Sequence, residues 1–154
     1  MKELNSYIFE SDIEGAHKLL QEGADINAKY GIGITPISSA INSDNPSTLQ
    51  FVIDQGANVN IDYGAPLSET IDYCIDGMIQ NNLDSPYPEA LKMLKILLEN
   101  GADIELKDDN GERPIDVLLA YAQDDFEWLE KLKSFFRPLI PNIGELINTK
   151  HNNT

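Results

Sequence analysis

Apolar residues along the chain fall into short helical stripes separated by polar turns. The clearest stripe runs through Leu67, Ile71, Cys74, Ile75, Met78 and Ile79, at offsets of 0, 4, 7, 8, 11 and 12, which is one face of an amphipathic helix. This phase predicts that Cys74 points into the core as a small, inert apolar residue. Ile79 is expected to continue the buried face, and Asp72, Asp76 and Gln80 to lie on the solvated one. Beyond Gln80, Asn81-Asn82 weakens the helix, and Pro86 and Pro88 forbid its continuation. A second stripe is predicted at Phe126, Leu129, Leu132 and Phe136. From Pro141 onward the chain is polar and expected to be loosely held, with at most a short docked turn at Gly144-Glu145-Leu146-Ile147.

The stripes are punctuated in phase. Leu19-Leu20-Gln21-Glu22-Gly23-Ala24-Asp25-Ile26-Asn27 returns as Val52-Ile53-Asp54-Gln55-Gly56-Ala57-Asn58-Val59-Asn60 and again as Leu97-Leu98-Glu99-Asn100-Gly101-Ala102-Asp103-Ile104-Glu105. A second element keeps step with it: Thr35-Pro36-Ile37-Ser38-Ser39-Ala40-Ile41, Ala65-Pro66-Leu67-Ser68-Glu69-Thr70-Ile71 and Arg113-Pro114-Ile115-Asp116-Val117-Leu118-Leu119. Proline at a first helical position costs no hydrogen bond, and Thr35 before it can cap the helix. Glycine after an apolar helical stretch closes the last turn in the left-handed conformation. Each unit is therefore a pair of short helices with an apolar face that only a neighbouring pair can bury.

At these residues the chain resembles the ankyrin-repeat family, whose pattern is similar to GxTPLHxAA followed by a second helix and LLxxGADVN. The resemblance implies an all-α solenoid of stacked helix-turn-helix units with short β-finger loops, spanning residues 1–140 as one domain. Its units would be about 2–29, 30–60, 61–106 and 107–140, the first and last being caps, with 141–154 as a C-terminal tail. The departures from the pattern are specific. The histidine after TPL is replaced by Ser38, Ser68 and Asp116, and the capping threonine survives only at Thr35, giving way to Ala65 and Arg113, so hydrogen bonding between repeats must differ from the family's. The third unit carries 15 extra residues between its helices, and its finger is three residues short.

In proteins of this kind the fingers and the exposed end of each first helix form the concave binding surface. Carried over by position, that surface comprises Ile32, Ile34 and Asn42 in the second unit, and Asp62, Tyr63, Asp72, Tyr73 and Asp76 in the third. The fourth contributes Asp109, Asn110, Glu112, Tyr121 and Asp124. Mapping Pro66 onto Pro114 sets Tyr73 on Tyr121 and Asp76 on Asp124. Tyrosine so placed either offers a rigid amphipathic contact to a partner or packs between repeats.

Charge narrows the class of partner. Eleven Lys and Arg against 26 Asp and Glu give a net −15, which disfavours nucleic acid and anionic membranes. Between Lys29 and Lys92 there is no Lys or Arg, while eight carboxylates fall there. Such a one-signed zone either serves solubility or speeds association with a basic protein. The N-terminal segment has neither a signal-like apolar run nor a membrane span after it, and a single cysteine forms no internal disulfide. A cytoplasmic location is expected.

Chemical motifs are weak. Gly31-Ile32-Gly33 begins like a dinucleotide fingerprint, but Pro36 replaces the third glycine. Asp108-Asp109-Asn110-Gly111 looks like part of a calcium loop, yet with Gly111 as sixth residue the first and last ligand positions fall on Leu106 and Val117. Ser43-Asp44-Asn45 lacks the companion motifs of β-lactamase-like enzymes. His17, His151 and Cys74 have neither zinc spacing nor a nucleophile–base arrangement, and the terminal triplet Asn152-Asn153-Thr154 is a chance match to a glycosylation signal. No cofactor or metal is expected. The sequence thus predicts a non-enzymatic protein-binding module with an acidic, tyrosine-bearing face for a basic partner, plausibly an immunity or antitoxin protein masking a toxin domain. Alternatives are a regulatory scaffold, an effector binding a host protein and, in a different class, a metal-assisted enzyme using surface carboxylates.

Overall fold

A computed structural model describes residues 1–152, with side chains through Thr149. The side chains of His151 and Asn152, and Asn153 and Thr154 entirely, lie outside the described residues. Helices come in pairs: α1 (Leu4–Phe9) with α2 (Ile13–Gln21), α3 (Pro36–Asn42) with α4 (Pro46–Asp54), and α5 (Ile61–Gln80) with α6 (Pro88–Glu99). In the fourth pair a 3-10 turn, Pro114–Asp116, runs into α7 (Val117–Ala122), followed by α8 (Phe126–Phe136). A last helix, α9 (Ile143–Asn152), follows. The first helices pack in chain order, α1 on α3, α3 on α5 and α5 on α7, while α4 packs on α6 in an outer row. Among the described residues the only extended pairing is an isolated antiparallel bridge, Tyr30 to Ile34.

Local chemistry sets the limits of the pairs. Thr35 Oγ1 accepts from the Ser38 amide, with Pro36 in the first turn behind it. At the other end, Gly23, Gly56 and Gly101 have φ of 103°, 96° and 90°. Each lets the following alanine amide reach back to a carbonyl five residues earlier, Ala24 to Leu19 at 3.0 Å, Ala57 to Val52 at 3.2 Å and Ala102 to Leu97 at 3.0 Å, which satisfies the otherwise orphaned last turn. Downstream, Asp25, Asn58 and Asp103 each accept from the backbone two residues on.

The core runs through the stack, from Leu4, Ile8, Ile37 and Ile41 through Leu67, Ile71 and Ile75 to Ile115 and Leu118, backed by Leu49, Val52, Met93, Leu94 and Leu97 of the second helices. Full burial of such side chains contributes about 1.5–3 kcal/mol each. The predicted stripe of α5 holds from Leu67 to Met78 but not at Ile79, which is 48% exposed: it falls about 90° from the middle of the stripe, at its edge, whereas Met78 in the same turn faces the core. Phe126 is likewise outside the core at 73% exposure, because it is the first residue after the Asp125 cap and α8 reaches its neighbours only further along.

The expectation of a loosely held tail is overturned. Ile143, Leu146 and Ile147 are buried on one side of α9, which packs on α8 and on the 3-10 turn. With Ile140 they complete a helical stripe at offsets of 0, 3, 6 and 7, short enough to be hidden by the polar residues around it.

Cys74 is 1% exposed, and burial pushes its thiol up to about 12. Thiol reagents are therefore expected to leave the folded protein unmodified at neutral pH and to label it only at the rate of unfolding; rapid labelling under native conditions would contradict the packing. No described helix is long and apolar enough to cross a membrane.

Candidate interaction face

The second finger is a tight loop in which the Tyr30 amide donates to the Ile34 carbonyl at 2.9 Å. Asn5 Nδ2 of α1 pins it by donating to the same carbonyl at 2.7 Å. Ile32 at the tip is 94% exposed and Ile34 41%. Asn42 is exposed one step along, its amide donating to the Ser38 carbonyl. A hollow beside this finger is lined by Asn5 and Phe9 of α1 and its cap Glu10, together with Ile34 and Asn42.

The third connection, short by three residues, closes differently. Asp62, Tyr63 and Gly64 are consecutive left-handed residues, with φ of 50°, 58° and 85°. Two of the three carry side chains, at a cost of about 1–2 kcal/mol each. Surrounding contacts hold the turn: Lys29 Nζ lies 3.0 Å from Asp62, the Gly64 amide donates to Asn60, and Gly64 sits so close to Pro114 that an added Cβ would come within 3.0 Å of its ring. The turn leaves the Tyr63 ring 56% exposed. In the fourth finger, Asp108 Oδ1 accepts from the amides of Asn110 and Glu112 at 2.8 and 2.9 Å, so the segment that looked like a calcium loop is a self-capped turn with Asp109 and Asn110 exposed at its tip. Between the third and fourth fingers, Asp62, Tyr63, Ser68, Asp108, Glu112 and Ala120 line a hollow of about 360 Å³.

The two tyrosines on the first helices are engaged within the molecule. Tyr121 donates to Asp72 at 2.6 Å, and Tyr73 lies beside the Asp44 carboxylate, just beyond α3. Both rings are half-buried. Burial, then the adjoining carboxylate, pushes the Tyr73 phenol up to about 12, and the same two causes raise Tyr121. Packing between helix pairs is thus one role that both side chains fill. Asp72 is thereby drawn into the tie, Asp76 accepts a long contact of 3.5 Å from Gln80, and Asp124 is exposed at the left-handed end of α7. Sequence reasoning missed Phe9, 57% exposed. Its signal was present: with Leu4 and Ile8 on the buried stripe, the next residue falls about 100° away, toward solvent.

Where the family pattern has histidine, Ser38 Oγ donates to Glu69 at 2.8 Å across the second and third pairs. Burial raises the Glu69 carboxyl above its ordinary value, outweighing the Ser38 bond. A carboxyl raised by folding contributes stability that is complete below its unfolded pKa and lost as pH rises through its folded one. Glu69→Gln is therefore expected to raise stability slightly at neutral pH, with the gain shrinking as pH falls through the carboxylate range; denaturant titrations at pH 7 and pH 4 check this. Among the described residues no three His, Cys, Asp or Glu side chains are grouped so as to hold a metal ion. Comparison with protein-family models and with curated proteins returns no match for this chain.

Proposed function

We propose that the chain is an ankyrin-type repeat protein that binds a basic protein partner across its fingers and first helices, without catalysis. The hollow that brings Asp62, Tyr63, Asp108 and Glu112 together from two helix pairs is the observation that carries this reading. An exposed aromatic ring on a fixed backbone, ringed by carboxylates, suits a partner presenting Arg or Lys beside apolar surface. The in-phase capping, the chain-order packing of the first helices and the exposed Ile32 and Tyr63 support the same view. Tyr73 and Tyr121 act here as struts that keep the face in register. The partner's basic surface is read as a functional site that binding occludes, the manner in which an immunity or antitoxin protein silences a toxin domain.

Affinity capture followed by binding kinetics tests the proposal. Association with the captured partner is expected to slow as salt rises while dissociation changes less. Tyr63→Ala is expected to cost about 2 kcal/mol, roughly thirtyfold in affinity. A salt-independent association rate, together with unchanged affinity in Tyr63→Ala and Asp109→Asn, would remove the face from the interface.

A further inference from the structure

The opposite side of the molecule carries a surface of different character. In the outer row α4 packs on α6, but between α6 and α8 the row opens into a groove. One wall is Leu91 with Lys92 and Lys95 of α6; the other is Phe135 at the end of α8 with Pro138 and Leu139 beyond it. Leu91, Phe135 and Leu139 are only partly buried against the core, and the space between the walls is about 340 Å³, room for a few large apolar side chains.

The rim gives this groove its sign. Lys92 is the first positive charge after a run of 62 residues without one, in a chain of net −15. Among the described residues Lys92 has no ion-pair partner, and Lys95 meets only Glu99, at 3.7 Å with both side chains well exposed, a pair of little energetic weight. Lysine stems lie along apolar surface while their ammonium groups reach water at its edge. The groove therefore presents an apolar floor with two cations at one lip.

We infer that this groove docks an acidic amphipathic protein segment, most simply a helix whose Leu or Phe side chains enter between α6 and α8 while its carboxylates meet Lys92 and Lys95. The net charge of the chain disfavours such a segment over most of the surface, and at this groove the two lysines beside an apolar floor set where and how it seats. An anionic bilayer fits less well, because it would meet the whole net negative molecule instead of one lip. The site is independent of the acidic face and remains if that reading fails.

Fluorescence anisotropy of the full chain with a fluorescein-labelled synthetic helix, Leu and Phe on one face and Glu on the other, tests the inference. Saturable binding is expected, weakened about tenfold or more by the surface variant Lys92→Glu/Lys95→Glu, and unaffected by Tyr63→Ala. Circular dichroism of the charge-reversed variant should match that of the parent. No saturable binding, or binding that charge reversal leaves unchanged, overturns the proposal. It is equally overturned if sedimentation shows a second copy of the chain occupying the groove, or if phosphatidylglycerol vesicles are bound through the same lysines in preference to the peptide.

Discussion

Arg113→Met is expected to destabilise the protein by about 3–5 kcal/mol, the cost of leaving one member of a buried ion pair without the other. Arg113 is 7% exposed and Asp116 4%. The guanidinium donates through Nε and Nη2 to the two oxygens of Asp116 at 3.2 and 2.9 Å, and the Arg113 amide adds a third bond at 2.9 Å. The same side chain reaches α9, with Nη2 donating to the Leu146 carbonyl at 2.8 Å and Nη1 to Thr149 Oγ1 at 3.0 Å. Where the second unit has the capping Thr35 and the third Ala65, this one has a cation that closes its own turn and fastens the last helix. Replacing both partners, Arg113→Met with Asp116→Leu, is expected to recover most of the loss, since an apolar pair of similar volume is often as stable as a buried ion pair. Urea titrations of the parent, single and double variants measure both effects; a single variant within about 1 kcal/mol of the parent would show that the network carries no net stability.

The next largest effect is expected at Asn60, where alanine should cost about 1–3 kcal/mol through two hydrogen bonds lost across a joint. Its Nδ2 donates to the Gly101 carbonyl at 3.1 Å and its Oδ1 accepts from the Asp103 amide at 2.8 Å. Asn27 does the same for Gly56 and Asn58, at 3.2 and 2.7 Å. A neutral amide is needed because one bond requires a donor and the other an acceptor. Asn60→Asp keeps the acceptor and turns the other oxygen toward a carbonyl, so it should be at least as harmful as alanine. Chemical denaturation of the two variants decides this, and an aspartate variant as stable as the parent would refute the donor's role.

Helix pairing was legible because its signals are local: proline and threonine at starts, glycine at ends, and a 3.6-residue stripe between them. Cys74 was placed correctly by that stripe alone. Ile79 lies at the edge of its stripe and Phe126 at the first position of its helix, and periodicity gives the direction of a side chain but not whether a neighbour covers the margin of the face. The tail failed differently. The docked turn expected at 144–147 is present but is part of a longer helix: its apolar residues are too few to stand out in sequence, and Arg113, which donates to the Leu146 carbonyl, lies 33 positions before it. At the candidate face, exposure of Ile32, Tyr63 and Asp109 followed from position in the repeat. The engagement of Tyr73 and Tyr121 with Asp44 and Asp72 did not, because a tyrosine beside a carboxylate has the same sequence pattern whether it faces a partner or its own chain.

The asparagine clamps stop short of the last joint. After Asn27 and Asn60 the corresponding residue is Glu105, which approaches Arg113 at 3.6 Å instead of spanning two backbone groups. At that same joint the outer helices part, and the left-handed turn at Asp62–Gly64 presses on Pro114. The fourth pair, carrying α9 with it, meets the third through other contacts: the Tyr121–Asp72 bond, the Ile115 amide on the Ile104 carbonyl, and the packing of the 3-10 turn and α7 on α5. Because the hollow beside Tyr63 has one wall on each side of that joint, its width is set where no asparagine bridges the pairs, by contacts such as the seating of Gly64 on Pro114.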